Sequence, residues 1–250
     1  MRAAEEGRSV AGRLFAIADA FEGGRELTLS EIAQRAQLPL STAHRLVAEW
    51  VEWGGLVRGD DGRYQIGLRL WRLGVRQPAA LRLRTVARPF LDDLLDATGE
   101  HVHLAVIDGT EATYLERLSA PGAVPVISAV AARLPLHATG VGLSLLAHAG
   151  DDLVRELLAA GLRRFAAGTP TTEAALRTVL AQARASGVAR SVDALTPGAL
   201  SLAAAVRDSS GEVIAAVSIV VRREREGDAS LPHVVRLAAL GISGALGWRP

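Results

Sequence analysis

The chain has no cysteine. That removes disulfides, thiolate metal sites and cysteine nucleophiles together. Lysine is absent too, so every basic residue other than histidine is an arginine. No apolar run approaches the roughly 18 residues of a membrane span. The start, MRAAEEGRSVAGRLF, carries two glutamates and lacks the long apolar core of a secretory signal. A cytoplasmic protein with no membrane partner is the default expectation. Enzyme signatures are scarce as well: there is no G-x-S-x-G, P-loop, H-E-x-x-H or C-x-x-C. The GVG at 140–142 lacks the preceding strand and following acid of a dinucleotide fingerprint. No cofactor and no catalytic residue is therefore expected.

What is present starts with a core. Apolar residues make up 49% of 250 positions, enough for one large or two modest domains. Net charge is only +1, but its distribution is uneven. Residues 1–34 hold four arginines against six acids, a balance of −2; residues 35–88 hold ten against four, a balance of +6. Phosphate contacts need such a local excess, although a solvated basic helix would show it too.

Within that basic stretch, TLSEIAQRAQLPLSTAHRLVAEWVEW (residues 28–53) reads as two short helices around a tight turn. Thr28 and Glu31 have capping-box spacing. Leu29, Ile32, Ala33 and Ala36 share one helix face. Gln37-Leu38-Pro39 breaks that helix, and a second can begin directly after the proline. Along it Ala43, Leu46, Val47, Trp50 and Val51 repeat the apolar stripe, which leaves Ser41, Thr42, His44 and Arg45 on the opposite side. That is a helix-turn-helix reader presenting hydroxyls, an imidazole and a guanidinium to a groove; a surface hairpin with a polar tip is the plainer alternative. GGLVRGDDGRYQIG (54–67) then gives two alternating runs around Asp-Gly, a hairpin signal. A hairpin here makes a wing, with Arg58 and Arg63 placed for phosphates.

At this point the sequence resembles a family. LTLSEIAQRAQLPLSTAHRLVAEWVEWGGLVRGDDGRYQIGLRLWRLG is similar to the DNA-binding domain of IclR-type bacterial transcriptional regulators. GEHVHLAVIDGTEATYLERL, RLPLHATGVGLSLLA and DSSGEVIAAVSI resemble that family's effector-binding domain. LPLHATGVG, at the correct distance downstream, is the most specific of these matches. The resemblance implies an α+β chain: an N-terminal winged helix-turn-helix over 1–67, a linker helix over 68–78 and a C-terminal GAF-like effector-binding domain over 79–250. It also implies double-stranded operator DNA, a small organic effector, and a homodimer or dimer of dimers.

The periodicity fills in the elements. A first helix is expected over 9–22 with Val10, Leu14, Ile17, Ala18 and Phe21 on one face. Leu68, Trp71 and Val75 should share one side of the linker helix, which Gln77-Pro78 ends. The second domain should open on a helix carrying Leu83, Val86, Phe90, Leu94 and Leu95. Strands follow at HVHLAVIDG, EATYLERL and AVPVISAV, the last spanning 123–130. After the HATGVG loop and its helix come helices near 151–160 and 172–186. The strands GVARSV, LSLAAAVRD and EVIAAVSIVV and a closing helix complete a sheet with helices on both sides.

Two constellations in this domain carry chemistry. His101 and His103 share a strand face and His137 lies downstream; three histidines can ligate zinc. Without a nearby carboxylate pattern, structural histidines are the stronger expectation, and no metal site is assigned. HATGVG precedes a helix, where small residues let a ligand approach free N–H groups. It could equally be a glycine turn needed for close packing. The resemblance favours a ligand, held by Thr139, Gly140 and Val141, and it places the family's polar pocket groups at Ser191, Ser201 and Ser218. This sequence departs from its relatives there: Ser191 stands where an acid is common, Ser201 where cysteine is, Leu143 where lysine is, and Val220 where many repeat a serine. In the reader helix Leu40 occupies a position often held by lysine. The expected pocket is uncharged, with Leu143 and Val220 as apolar wall, and suits an aromatic acid or amide better than a dicarboxylate. A ligand sensor acting through protein partners, or a hydrolase using the His/Ser cluster, are the other readings.

Overall fold

The computed structural model describes residues 8–24, 26–74, 78–126 and 128–249. Its contacts divide the chain into two compact units after Leu81.

In the first unit, α1 (Val10–Asp19) is capped by Ser9, whose Oγ accepts from the Gly12 N–H at 3.0 Å. It buries Ile17, followed by Ala20 and Phe21, while Val10 is exposed at the first turn. Helix α2 (Leu29–Ala36) opens on the expected capping box: Thr28 Oγ1 accepts from the Glu31 N–H, and Glu31 Oε2 accepts from the Thr28 N–H at 2.7 Å. The Thr28 N–H and the Thr28 hydroxyl, which donates to the same Glu31 Oε2 at 2.8 Å, hold the Glu31 carboxyl below its usual range, with nearby Arg63 and Arg35 adding to them. Gln37 closes the helix in the left-handed region at φ 55, and the Leu38 N–H returns to Ala33 O at 2.9 Å. Pro39 then caps α3 (Leu40–Glu52). Ala43, Leu46 and Val47 are buried on α3, and the Trp50 Nε1–H donates to Leu14 O at 3.1 Å. Val51, expected on the same stripe, is exposed because it falls at the stripe's edge.

Strands β1 (Leu56–Arg58) and β2 (Tyr64–Ile66) pair with Leu56 opposite Ile66 and Arg58 opposite Tyr64. Gly62 turns the hairpin at φ 80, a conformation that favours glycine. Helix α4 (Leu68–Gly74) buries none of its residues, and Leu68 and Trp71 are 67% and 60% exposed. Val75, expected on the same side, and Gln77, expected with Pro78 to end the helix, lie outside the described residues, while Pro78 opens the next helix.

The next helix, α5 (Pro78–Thr98), starts before the division between the units and contributes Leu83, Ala87, Leu91 and Leu94 to the core of the second. After it come β3 (His101–Asp108), β4 (Glu111–Leu118), β5 (Arg133–Pro135), a 3-10 turn at Leu136–Ala138 and α6 (Gly140–Leu146). Helices α7 (Asp151–Ala160) and α8 (Glu173–Ser186) lead to β6 (Ala189–Val192), β7 (Ala199–Arg207), β8 (Val213–Arg222) and α9 (Ser230–Ala245). The strands form one antiparallel sheet in the order β5-β4-β3-β8-β7-β6.

The two faces of this sheet differ in chemistry. Towards α5 and α9 point Val102, Leu104, Leu200, Leu202, Val217 and Ile219, a continuous aliphatic layer. Towards α6, α7 and α8 point small and polar residues: His103 opposite Ser218, Ser218 opposite Ala203, and Ser191 opposite Ser201. The period of two along each strand makes this division.

Two features depart from the expected pattern. The described residues among 123–130 form no strand, Ile127 lying outside them, and the third strand is β5 instead. Val124 packs with Ala199 and Val220, and its carbonyl meets His101 Nε2, so this segment's groups are engaged by side chains and not by a ladder. The second is a β-bulge. Ala105 opposes Tyr114 but Leu104 opposes Glu116, which leaves Leu115 as an extra residue. Leu115 and Glu116 both face α5, and Arg117 returns to the face of Tyr114 and His103.

Candidate functional site

On the first unit, the start of α3 presents the groups expected to read DNA. Ser41, His44 and Arg45 are exposed and Thr42 is half-buried, all opposite the buried Ala43, Leu46 and Val47. Arg45 Nη1 pairs with Glu49 Oε1 at 3.1 Å across one helical turn, an exposed pair that a phosphate or base can displace at small cost. On the wing, the Arg58 guanidinium lies 5.6 Å from the Tyr64 ring centroid. Arg63 is engaged by its own unit at the surface: Nη1 donates to Glu26 O at 3.2 Å and lies 3.5 Å from Glu31, and Nε is 3.8 Å from Asp61. A phosphate contact by Arg63 would require exchanging these partners. Arg35 and Arg69 also donate to backbone carbonyls, of Ala20 and Trp53, at 2.9 Å each. Part of the local basic excess therefore holds the unit together.

On the second unit, a cavity lies between the polar face of the sheet and the loop before α6. It encloses about 410 Å³, counting the part open to solvent. Of the sequence-derived residues, Thr139, Gly140, Ser191, Ser201 and Val220 line it. Ser218, Val141 and Leu143 are buried but are not among the lining residues; Val141 and Leu143 pack with Leu136 and Leu146 in the core beneath. Leu143 is therefore core, not cavity wall.

The glycines here serve close packing. A Cβ on Gly140 would meet Ser201 Oγ at 2.3 Å, and one on Gly142 would meet Leu136 O at 2.2 Å. Thr139 is the cap of α6: its Oγ1 accepts from the Gly142 N–H at 3.1 Å and donates to Pro135 O at 3.2 Å. Its hydroxyl is thus largely committed to the fold. Among the described residues, Ser191 Oγ makes only a long contact, 3.4 Å, to Ala138 O.

His103, Tyr114 and Ser128 also line the cavity; the sequence offers His103 only as a possible zinc ligand or catalytic group and assigns none of the three to the effector. His103 Nε2 and Ser128 Oγ are 2.8 Å apart, and the His103 and Tyr114 rings meet edge-on at 5.1 Å. Burial, then the neighbouring His101 and Arg117, pull the His103 imidazole down to about 3, so it is neutral at physiological pH. Burial likewise keeps the Tyr114 phenol protonated by raising its pKa, against a smaller opposing effect of Thr139. His101, lowered mainly by burial, is held between Ser119 Oγ at 2.8 Å and the carbonyl of Val124 at 2.5 Å. His137 bonds to Arg163 O through Nε2 at 2.9 Å. The three histidines are thus engaged separately, and among the described residues no group of three His, Asp or Glu converges to hold a metal. The His103–Ser128 pair has the spacing of a base and a nucleophile, but an imidazole so weakly basic is poorly matched to deprotonating a hydroxyl near neutral pH.

The cavity thus offers hydroxyls, a phenol and a neutral imidazole within an apolar wall that includes Val126, Leu134, Leu195 and Val220. Among the described residues, no formally charged side chain lines it. Among the described residues, no helix is long and apolar enough to cross a membrane.

Comparison with known proteins matches both units in order. The IclR helix-turn-helix domain matches residues 10–60, and the family described as bacterial transcriptional regulator IclR C-terminal matches residues 78–243. The HTH-type transcriptional regulator XynR of Escherichia coli (strain K12) is 31% identical over 244 residues, covering 94% of this chain and 96% of XynR. The HTH-type transcriptional repressor AllR of Klebsiella pneumoniae is 32% identical, covering 99% of this chain and 93% of AllR. Among solved structures, an IclR homolog complexed with 4-hydroxybenzoate, from Microbacterium hydrocarbonoxydans, matches with a TM-score of 0.87 and 41% identity, over 95% of this chain and 99% of that one. A helix-turn-helix with an exposed polar reader, an α+β domain enclosing a cavity, and these relatives along nearly the whole length place the chain in the IclR family of DNA-binding bacterial transcriptional regulators.

Proposed function

We propose that this regulator represses its target by binding a pseudo-palindromic operator as a homodimer, and that a small aromatic acid or its amide in the C-terminal cavity changes that affinity. The observation that carries the ligand class is the lining itself: neutral donors and acceptors on one side, aliphatic walls on the other, and no lining counter-charge for a second carboxylate. The related Microbacterium hydrocarbonoxydans structure holding 4-hydroxybenzoate supports the same class. A homodimer fits two features. One reader helix covers only a few base pairs, and Leu68, Trp71 and Leu73 of α4 leave an apolar surface that a second copy can cover.

Ser41, Thr42, His44 and Arg45 enter the major groove, and Arg58 supports them from the wing. The ligand can shift operator affinity by no more than its differential affinity for the two protein states. The test pairs calorimetry of the full chain against 4-hydroxybenzoate, 4-hydroxybenzamide, succinate and pyruvate with operator binding on the protein's own promoter. Binding of an aromatic compound with a matching change in operator affinity is expected. Tight succinate binding, or aromatic binding that leaves the operator complex unchanged, would sink this reading.

A further inference from the structure

The bulge at Leu115 places a cation where regular pairing would not. Tyr114 and Arg117 are three residues apart, a spacing that puts side chains on opposite faces of an unbroken strand. The extra residue brings both to the face that carries the cavity. There Arg117 stands directly opposite His103, a cavity-lining residue, and cross-strand neighbours of this kind have Cβ atoms roughly 5 Å apart.

Arg117 is unlike most of the arginines around it. Arg84, Arg88, Arg133, Arg190 and Arg223 each meet a carboxylate. Arg117 is half-buried, and its Nε is shut off from solvent with no acceptor among the described residues. A buried guanidinium N–H without a partner is costly, and such groups call for a specific acceptor. The imidazoles of His101 and His103 beside it are neutral or cationic and so cannot offer it an opposite charge; its own charge helps to keep both unprotonated. Glu100, the acid nearest His101 along the chain, is already engaged by Arg225 Nη1 at 3.2 Å.

We propose that Arg117 is the anion-binding group of the effector site, which makes the ligand a monocarboxylate whose charged end lies at Arg117 and whose body fills the cavity beside His103. This rests on the cavity being the effector site and narrows its ligand from acid or amide to acid. One guanidinium satisfies one carboxylate, so a second acidic group on the ligand would still be desolvated without a partner. The side chain does not line the cavity in this conformation, but it extends from the strand position next to the residue that does.

The test uses the full chain with 4-hydroxybenzoate and 4-hydroxybenzamide as probes, in wild type, Arg117→Gln and Arg117→Lys. Wild type should bind the acid about tenfold or more tightly than the amide. Arg117→Gln should weaken the acid by about tenfold and leave the amide within about twofold, and Arg117→Lys should keep most of the preference. Should Arg117→Gln fail to fold, the wild-type preference and the Lys variant still decide. Equal binding of acid and amide by wild type, an equal loss of both in the variant, or binding of neither overturns the assignment. An Arg117-dependent acid preference with unchanged operator affinity would leave this site standing and defeat the proposed function. Amide binding without any preference, coupled to operator affinity, would do the reverse.

Discussion

Arg84 on α5 directs both Nε and Nη2 to Glu116 Oε1 on β4, each at 2.7 Å, immediately after the bulge at Leu115. The Glu116 side chain is only 11% exposed. Arg84→Ala would leave that carboxylate nearly buried and unpaired, and should destabilise the domain by about 1–3 kcal/mol. Glu116→Gln, which keeps a polar partner for Arg84, should cost less. Urea denaturation of the full chain checks both, with the midpoint moving and the slope unchanged. Equal stability of Arg84→Ala and wild type would show the pair to be energetically idle.

Arg45→Ala should weaken operator binding by about 1–3 kcal/mol if the guanidinium reads a base. If it touches only phosphate, the loss should be similar on every sequence and the salt slope should fall by about one. Thermal stability should hardly change, because the Arg45–Glu49 pair is exposed. Footprinting at several salt concentrations separates these outcomes, and an unaltered footprint at all of them would remove Arg45 from the reading surface.

Gly140→Ala should close the cavity and strain the domain together. The new Cβ would fall 2.3 Å from Ser201 Oγ and 2.9 Å from its Cβ, an overpacking expected to cost about 1–3 kcal/mol. Adding Ser201→Gly removes both contacts and should recover most of the stability. Melting temperatures of the single and double variants test this, and additive losses would show that the crowding lies elsewhere.

His103 makes stability depend on pH. Its ordinary pKa of 6.5 applies in the unfolded chain, and burial brings it to about 3 in the folded one. Between these values the unfolded state takes up a proton that the native state refuses. The neutral imidazole's stabilisation is therefore complete above pH 6.5 and is lost as pH falls towards 3. The slope approaches about 1.4 kcal/mol per pH unit, or roughly 2 kcal/mol between pH 7.5 and pH 5. His103→Gln can keep a contact to Ser128 and should flatten this dependence in denaturation curves. The same steepness in the variant would assign it to other groups, such as His101 or His148, which burial also lowers.

The DNA-reading unit was legible because its signals are local. The Thr28–Glu31 box, the proline break and the Asp-Gly turn each specify backbone geometry within a few residues, and all three occur as expected. The sheet was legible where strands alternate, and residues 123–130 failed because their alternating valines fit a rim as well as a ladder. Val124 meets Val220 and Ala199 there. Leu143 reads as cavity wall in the sequence because a helix of seven residues buried throughout gives no periodicity to separate core from lining. His101 and His103 were correctly put on one face, but their value as cavity groups depends on Tyr114 and Ser128, which only the folded chain brings to them. Nothing in TYLERL announces the bulge. It is fixed by which residues β3 and β4 can bury on each side, a property of the pair and not of either strand.

The sheet carries its large aliphatic side chains on the face towards α5 and α9, and small or polar ones on the face that bears the cavity. Positions 191, 201, 218 and 220 alternate with Val192, Leu200, Leu202, Ile219 and Val221, so exchanges there leave that aliphatic layer in place and are limited by local room, as beside Gly140 at position 201. Such an arrangement lets a sensor acquire a new inducer through a handful of substitutions while keeping its folding intact. A library randomised at those four positions in the full chain, selected for response to foreign aromatic compounds, should yield many folded variants and a few re-targeted ones. The same effort spent on the neighbouring aliphatic positions should yield mostly aggregates.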